Sequence, residues 1–288
     1  MGIVGGVDFS AARKNPNETW LAVGEISSLG MQIKSIEKVG SQNLKSALAQ
    51  VNDMRVCGLD FPFSLPTEFL RFLERKLSRE EYQEWQEVAM QLVFLSFEQF
   101  QGMVEEYDIE PKRFTDKNLS RKAQSPLHKA NPSMAQMTYH GMRILASLDP
   151  QKYYIPPFQE KVKDGCAVLE VYPREILYLL GLPYQGYKTQ SKTNQEAAHT
   201  ARKDIINGLI GLRERGDQRF ADCPRLEIDN SIKGKIIASD HAVDAIVCCY
   251  AAGLYASQPE LFPDPLDANN LNILLEGWIY APSKLAQK

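Results

Sequence analysis

The pattern of apolar and polar positions near the start of the chain predicts three strands. Residues 2–9 form a short apolar run, typical of a buried strand, with Asp8 near its end. Residues 19–26 favour a second strand, and residues 31–38 alternate apolar with polar positions after turn residues at 27–30. The second and third strands are therefore predicted to pair as a hairpin.

A helix and a fourth strand follow this hairpin and predict a mixed sheet. Apolar residues recur at helical spacing over 41–51, and residues 55–60 resemble a buried strand that Pro62 ends. A helical crossover allows the fourth strand to run parallel to the first. Asp8 and Asp60 would then lie near each other at the carboxyl ends of these strands, where α/β sheets commonly form their sites.

The rest of the chain predicts a helical segment followed by more core. Residues 67–104 look almost entirely helical, 111–132 are polar and irregular, and 135–148 are helical again. The predicted organisation is an α/β core of residues 1–66 and 161–288, interrupted by a largely helical insertion of residues 67–160. Later core elements are predicted as a strand at 166–173, helices at 194–215 and 239–256, and a last strand or extended edge at 274–282.

Composition limits the class of protein without choosing a function. Hydrophobic residues make up 44% and charged residues 24%, as in ordinary globular domains, and the formal net charge is −3. Five cysteines without a C-x-x-C pair predict neither a disulfide framework nor a zinc site. The N-terminus lacks a signal sequence, and the apolar stretch at 242–256 is too short to span a bilayer, so we expect a cytoplasmic protein without a membrane partner. The sequence does not indicate an oligomeric state.

Acidic residues at predicted strand ends and at a helix start form the candidate site. The set is Asp8, Asp60, Glu170, Asp240 and Asp244, with His241 close to the last two. Asp240 and Asp244 are four residues apart and project from one helix face. Mg²⁺ or Mn²⁺ prefers carboxylate oxygens, and two such ions about 4 Å apart can promote phosphodiester hydrolysis. The pattern therefore predicts a metal site that includes Asp8, Asp60, Asp240 and Asp244.

Each acid also has a structural alternative when it is considered alone. Asp240 is well placed to cap its helix, and Asp8 and Asp60 are suited to turns. Glu170 could face solvent from a half-exposed strand, and His241 could be a core histidine with satisfied hydrogen bonds. The constellation is therefore a better indication of a site than any of its members.

Five segments, taken in order, resemble the family catalogued as domain of unknown function 429, whose members are described as predicted RNase H-like nucleases. The segments are Val7-Asp8-Phe9-Ser10-Ala11-Ala12, Gly58-Leu59-Asp60-Phe61-Pro62-Phe63-Ser64-Leu65-Pro66, Glu170-Val171-Tyr172-Pro173, Asp240-His241-Ala242-Val243-Asp244-Ala245 and Glu276-Gly277-Trp278-Ile279-Tyr280. The fourth is also similar to the last catalytic motif of RuvC-type resolvases. The resemblance implies an RNase H-like mixed β-sheet flanked by helices, and metal-ion catalysis.

The resemblance also implies roles for individual residues. Asp8 matches the first-strand acid, Asp60 the fourth-strand acid and Asp244 the acid of the terminal helix. Asp240 and His241 share the remaining helix position, and Glu170 matches a motif of the family itself. All six residues are therefore candidate catalytic residues.

A basic loop is the predicted contact for a nucleic-acid substrate. It contains Lys112, Arg113, Lys117, Arg121, Lys122 and Lys129. Such clusters attract phosphate backbones, although a solvated loop is the structural alternative. Lys188 and Lys192 are secondary candidates in a second polar loop.

Three functions remain open at this stage. The first is a metal-dependent nuclease acting on DNA or RNA. The second is an actin-like phosphotransferase, although Phe9-Ser10-Ala11-Ala12 is a poor match to a glycine- and threonine-rich phosphate loop. The third is a nucleic-acid-binding protein of the same fold that has lost turnover. No P-loop, nucleophile elbow or H-E-x-x-H motif favours another enzyme class.

Overall fold

The computed structural model describes residues 2–12, 17–130, 134–188 and 194–287. The chain forms two compact units. The first unit comprises Met1–Asp60, Val171–Pro263 and Tyr280–Lys288, and the second comprises Phe61–Glu170 and Asp264–Ile279. Each unit has helices and strands of its own.

The chain contains both strands and helices, as a mixed α/β fold requires. The strands are β1 Gly2–Asp8, β2 Trp20–Ser27, β3 Gly30–Lys38, β4 Met54–Asp60, β5 Tyr153–Tyr154, β6 Cys166–Glu170 and β7 Leu226–Ile228. The helices are α1 Leu44–Gln50, α2 Thr67–Lys76, α3 Trp85–Phe94, α4 Phe97–Tyr107, α5 Phe114–Asn118, α6 Met134–Ala146, α7 Pro173–Leu179, α8 Gln195–Ile210, α9 Asn230–Ala238, α10 Asp240–Ser257 and α11 Ile273–Glu276. The predicted mixed α/β class is confirmed.

In the first unit, the strands follow the order β4-β1-β2-β3-β7. β1 runs antiparallel to β2 and parallel to β4, while β2 and β3 form the predicted hairpin. The short strand β7 adds in parallel to β3. Helix α10 lies against β1, β2 and β4 and is buried over most of its length, because it is apolar almost all round.

The second unit is mainly helical. Helices α3 and α4 both pack on α6, and α11 packs on α3 and α5. The strands β5 and β6 pair in parallel. The aromatic rings of Trp85 and Phe158 stack with their centroids 4.8 Å apart, and the indole nitrogen of Trp85 donates a hydrogen bond of 2.7 Å to the carbonyl of Phe63. Aromatic packing therefore ties segments of this unit that are distant in sequence.

Several element predictions need correction. The strand predicted for 166–173 ends at Glu170, because Pro173 begins helix α7, where a missing backbone N–H costs nothing. The segment 274–282, predicted as a last strand or extended edge, begins with the end of α11, and Ile279 forms one isolated bridge to Glu170. The irregular stretch predicted for 111–132 includes the short helix α5.

No single helix within the described ranges is long and apolar enough to cross a membrane. The consecutive helices α9 and α10 reach that length only together, and they are bent by 118° at their junction. All five cysteines are free and buried. The predicted absence of a disulfide framework is consistent with that state.

Candidate metal centre

Two identical Gly-x-Asp sequences place the first two acids of the site. Gly6 pairs with Gly58 and Asp8 pairs with Asp60 across the parallel strands β1 and β4. Residues two apart in a strand face the same side of the sheet, so each aspartate shares a face with its glycine. The two carboxylates therefore lie side by side at the carboxyl ends of the two strands, as the sequence predicted.

The paired glycines let helix α10 approach the sheet closely. A Cβ atom at Gly6 would lie 2.0 Å from the backbone nitrogen of Cys249 and 2.3 Å from the carbonyl oxygen of Ala245. A Cβ atom at Gly58 would lie 2.8 Å from the carbonyl oxygen of Cys248. Any larger residue would push the helix away, so the glycines fix the distance between the helix and the acids that follow them.

Helix α10 contributes the third acid from its second turn. One carboxylate oxygen from each of Asp8, Asp60 and Asp244 lies within 4.8 Å of the other two. Asp244 is fully buried, Asp8 is 5% exposed and Asp60 is half-buried. We call these three residues the acid cluster. Among the residues that the structure describes, this cluster is the group whose side chains are close enough together to hold a metal ion.

The first turn of α10 places His241 beside this cluster. Its Nδ1 atom lies 2.7 Å from Oδ2 of Asp8. Burial opposes the charged imidazolium, but the hydrogen bond and charge of Asp8 outweigh it and raise the pKa of His241 to about 9. His241 is therefore a cation at neutral pH, and it orients Asp8.

Asp240 lies in the same turn but is not part of the acid cluster. Ser239 is the N-cap of α10, and its hydroxyl accepts a hydrogen bond from the backbone nitrogen of Ala242 at 3.3 Å. The capping role considered for Asp240 therefore belongs to Ser239. The Asp240 charge favours the protonated form of His241.

Tyr187 and Lys188 hold Asp244 from the loop after α7. The Tyr187 hydroxyl donates a hydrogen bond of 2.8 Å to Oδ1 of Asp244, and the Lys188 ammonium forms a close ion pair with Oδ2. Arg202 fixes this loop by donating hydrogen bonds to the carbonyl oxygens of Tyr187 and Ile237. Both oxygens of Asp244 therefore have partners from one anchored segment.

The acid cluster keeps an excess of negative charge despite these partners. Burial, together with the neighbouring charge of Asp8, raises the pKa of Asp244 to about 6, although Lys188 and Tyr187 oppose this shift. The same crowding raises the pKa of Tyr187, because burial and the Asp244 charge both disfavour a phenolate. Additional positive charge in the cluster would therefore be stabilising.

Glu170, the remaining predicted acid, has a different environment in the second unit. Its carboxylate accepts hydrogen bonds from Arg113 at 2.5 and 2.8 Å and from the backbone nitrogen of Phe63 at 2.9 Å. Arg113 also binds Asp116, and all three side chains are buried. Glu170 is thus part of a buried ion-pair network rather than of the acid cluster.

The basic residues predicted to contact nucleic acid differ in their exposure. Arg113 is 1% exposed and therefore cannot reach a phosphate in this arrangement. Lys117 and Lys122 are exposed, Lys112 and Arg121 are half-buried, and Lys129 pairs with Asp108 at 3.0 Å. The loop therefore presents fewer free cations than its sequence indicates.

Sequence reasoning missed Tyr187 and placed Lys188 among secondary candidates. Lys192, its companion candidate, lies outside the described residues. A weak sequence signal exists, since Tyr187 and Lys188 follow Gly186 in a loop that succeeds the Glu170 motif. Only the tertiary contact with Asp244 distinguishes these two residues from other loop residues.

The fold and the cluster together define an α/β protein that gathers three carboxylates at one edge of a mixed sheet. The chain belongs to the family described as protein of unknown function (DUF429), whose sequence model matches residues 6–268. No curated protein and no solved structure matches the chain.

Proposed function

We propose that this protein is a metal-dependent nuclease with an RNase H-like core, which hydrolyses phosphodiester bonds of DNA or RNA at the acid cluster. The observation that carries the proposal is the convergence of Asp8, Asp60 and Asp244, each with a carboxylate oxygen within 4.8 Å of the others. Strand β1, strand β4 and the long helix α10 each supply one acid. That arrangement is the one implied by the sequence resemblance.

The residues present suit a hard divalent cation. Three carboxylates from three separate elements offer the oxygen ligands that Mg²⁺ and Mn²⁺ prefer. Burial, followed by the neighbouring charge of Asp8, raises the pKa of Asp244, and a divalent cation beside these carboxylates would favour their charged forms. When bound by these residues, such a cation would supply activation of an attacking water and stabilisation of the leaving oxygen of a phosphodiester.

The side chains of the protein prepare this site for its ligand. Asp8, Asp60 and Asp244 would hold the cation, while His241 orients Asp8 and Tyr187 orients Asp244. Their hydrogen bonds restrict the rotamers of the buried carboxylates, which lowers the cost of arranging ligands. Hydrolysis with this chemistry would leave a 3′-hydroxyl and a 5′-phosphate.

The decisive experiment is a calorimetric titration of Mn²⁺ into the wild type and Asp8→Asn, with folding checked by circular dichroism. We expect the wild type to bind Mn²⁺ and Asp8→Asn to lose most of the affinity. Asp53→Asn is the matched control, because Asp53 is exposed at the opposite end of β4 and its φ of 55° suits asparagine. Cleavage of labelled DNA and RNA then tests whether the metal site supports hydrolysis.

Two other outcomes would point to the alternative functions. Nucleic-acid binding that ignores metal and never leads to cleavage would favour a non-catalytic binding protein. Thermal stabilisation by ATP with Mg²⁺, without any effect of nucleic acid, would favour a phosphotransferase. Mn²⁺ binding that is unchanged by Asp8→Asn would remove the acid cluster from the proposal.

A further inference from the structure

Lys188 is unusual because its side chain is largely exposed, yet its ammonium forms an ion pair with the fully buried carboxylate of Asp244. The Lys188 side chain is 53% exposed, whereas the side chain of its partner Asp244 is 0% exposed. The ammonium contacts Oδ2 of Asp244, and Tyr187 occupies Oδ1. The ammonium therefore competes directly with any other cation for Oδ2 of Asp244.

The Lys188 charge acts on the whole acid cluster. Burial opposes the ammonium, but attraction to Asp244, and to Asp60 and Asp8 beyond it, keeps the pKa of Lys188 above its ordinary value. Its neighbour Tyr187 is held by Asp244 and by Arg202, so the backbone of this loop is fixed on both sides. The lysine side chain is therefore the adjustable part of an anchored segment.

We propose that Lys188 is the built-in counter-cation of the acid cluster, and that a divalent ion must displace its ammonium from Asp244 in order to bind. This inference rests on the proposed function, since it takes the acid cluster as the metal site. Lys188 thus sets the metal affinity of the site. It acts through Asp244, which makes it a positioning residue rather than a catalytic one.

The Lys188 ammonium and a divalent ion compete for one carboxylate, that of Asp244. The ammonium is a compact point charge on a flexible four-carbon stem, so it can leave Asp244 without a backbone movement. The exposed stem gives the released ammonium access to solvent, which reduces the cost of release. After release the same charge is available for a phosphate oxygen of the substrate.

The first test measures how much the ion pair between Lys188 and Asp244 contributes to thermal stability, in protein from which a chelator has removed any metal. We expect Lys188→Met to lower the Tm by about 2–4 °C, since it leaves buried carboxylates with less positive charge. The same change in an Asp244→Asn background should have a smaller effect, because the carboxylate that contacts Lys188 is then neutral. Equal effects in both backgrounds would overturn the inference.

The second test is a titration of Mn²⁺ alone into the same variants. Lys188→Met should bind Mn²⁺ about tenfold more tightly than the wild type, which corresponds to roughly 1.4 kcal/mol. Lys188→Arg, which keeps the charge, should stay near the wild type. Lys34→Met is the matched control, because this substitution removes an equal charge from the same unit. Lys34 lies at the surface, with its Nζ atom 2.8 Å from a carboxylate oxygen of Glu25.

The results separate failure of this inference from failure of the proposed function. Unchanged Mn²⁺ affinity in Lys188→Met, with normal binding by the wild type, would overturn the inference and leave the metal site intact. Absence of Mn²⁺ binding in every variant would overturn both the metal site and the displacement. In that case the Tm measurements would still decide whether Lys188 neutralises Asp244.

Discussion

Each unit of the molecule buries a set of acidic residues, but the two sets are neutralised differently. In the second unit, Arg113 lies between Asp116 and Glu170 and bonds to both carboxylates with its side chain. In the first unit, three acids share an edge of the sheet and receive their positive charge from Lys188 and His241, whose side chains are 53% and 39% exposed. Both sets combine buried acids with basic side chains. The basic residue is fully buried in the second unit and partly exposed in the first.

The difference lies in the hydrogen-bonding capacity of the cation. The guanidinium of Arg113 donates five hydrogen bonds, two to Asp116, two to Glu170 and one to the carbonyl of Glu276. Five is the full number of donors in an arginine side chain. No donor remains for a ligand, so the network serves the stability of the second unit. The lysine ammonium has no such fixed geometry. The proposed exchange of the Lys188 ammonium for a divalent ion at Asp244 depends on this difference.

Removal of the central cation from the saturated network should have the largest effect. Arg113→Met leaves Asp116 and Glu170 buried without a counterion, so we expect a loss of about 3–5 kcal/mol in the free energy of unfolding. Urea denaturation measures this loss. Lys112→Met, at the adjacent half-buried position, should change stability by less than about 0.5 kcal/mol.

A second substitution can sharpen the interpretation of Arg113→Met. Adding Glu170→Gln removes one of the uncompensated charges, so the double variant should recover part of the lost stability. If Arg113→Met alone unfolds no more easily than the wild type, the network is not a stabilising element. The contrast between the two acid sets would then lose its energetic basis.

Substitution of a glycine in the first unit should have the next largest effect. Gly6→Ala places a methyl group 2.0 Å from the backbone of Cys249, so we expect a loss of about 1–3 kcal/mol in stability. Displacement of α10 should also weaken Mn²⁺ binding, because Asp244 moves with the helix. Thermal unfolding and calorimetry on one sample measure both effects.

Gly102 provides the control for this prediction. It lies within α4, and a Cβ atom there would meet nothing within 4 Å. Gly102→Ala should therefore raise stability by about 0.5–1 kcal/mol, in line with the helix propensity of alanine. Equal costs at both positions would mean that close packing of α10 is not what Gly6 provides.

The smallest effects are expected in the basic loop and need a nucleic-acid assay. Lys117→Ala and Lys122→Ala should leave stability within about 0.5 kcal/mol of the wild type, since both residues are exposed. If these residues contact phosphates, each change should reduce the salt dependence of oligonucleotide binding by about one unit in slope. Lys129→Ala should matter less, because its ammonium already pairs with Asp108. Unchanged salt dependence in all three variants would exclude this loop from substrate binding.

Sequence patterns were sufficient for the part of the fold that is local and apolar. The strands β1 to β4 carry strong apolar patterns, and α10 is a long apolar run. Asp8 and Asp60 are the last residues of β1 and β4, and Asp244 lies in the second turn of α10. Their strand pairing was predictable from a hairpin and one crossover. The division into a core and an insertion of residues 67–160 stays a prediction, as do the nuclease activity and the nucleic-acid substrate.

Partners from distant segments could not be read from the sequence. Arg113 and Glu170 are 57 residues apart, so a basic loop and an acidic strand gave no sign of pairing. The same separation divides Tyr187 from Asp244. Short helices were missed for a related reason. Helix α7 has seven residues and α11 has four, which is too short for an apolar stripe to recur over several turns.

The register of Gly6 with Gly58 and of Asp8 with Asp60 has a consequence for synthesis of the chain. The ribosome completes β1 and β4 early, but the acid cluster needs Asp244, which is 184 residues beyond Asp60 (244 − 60). A nascent chain therefore carries two of the three acids, but not the third, through most of translation. The three carboxylates can come together only late in synthesis, after α10 has packed against Gly6 and Gly58, so the proposed metal site would be absent from the unfinished chain.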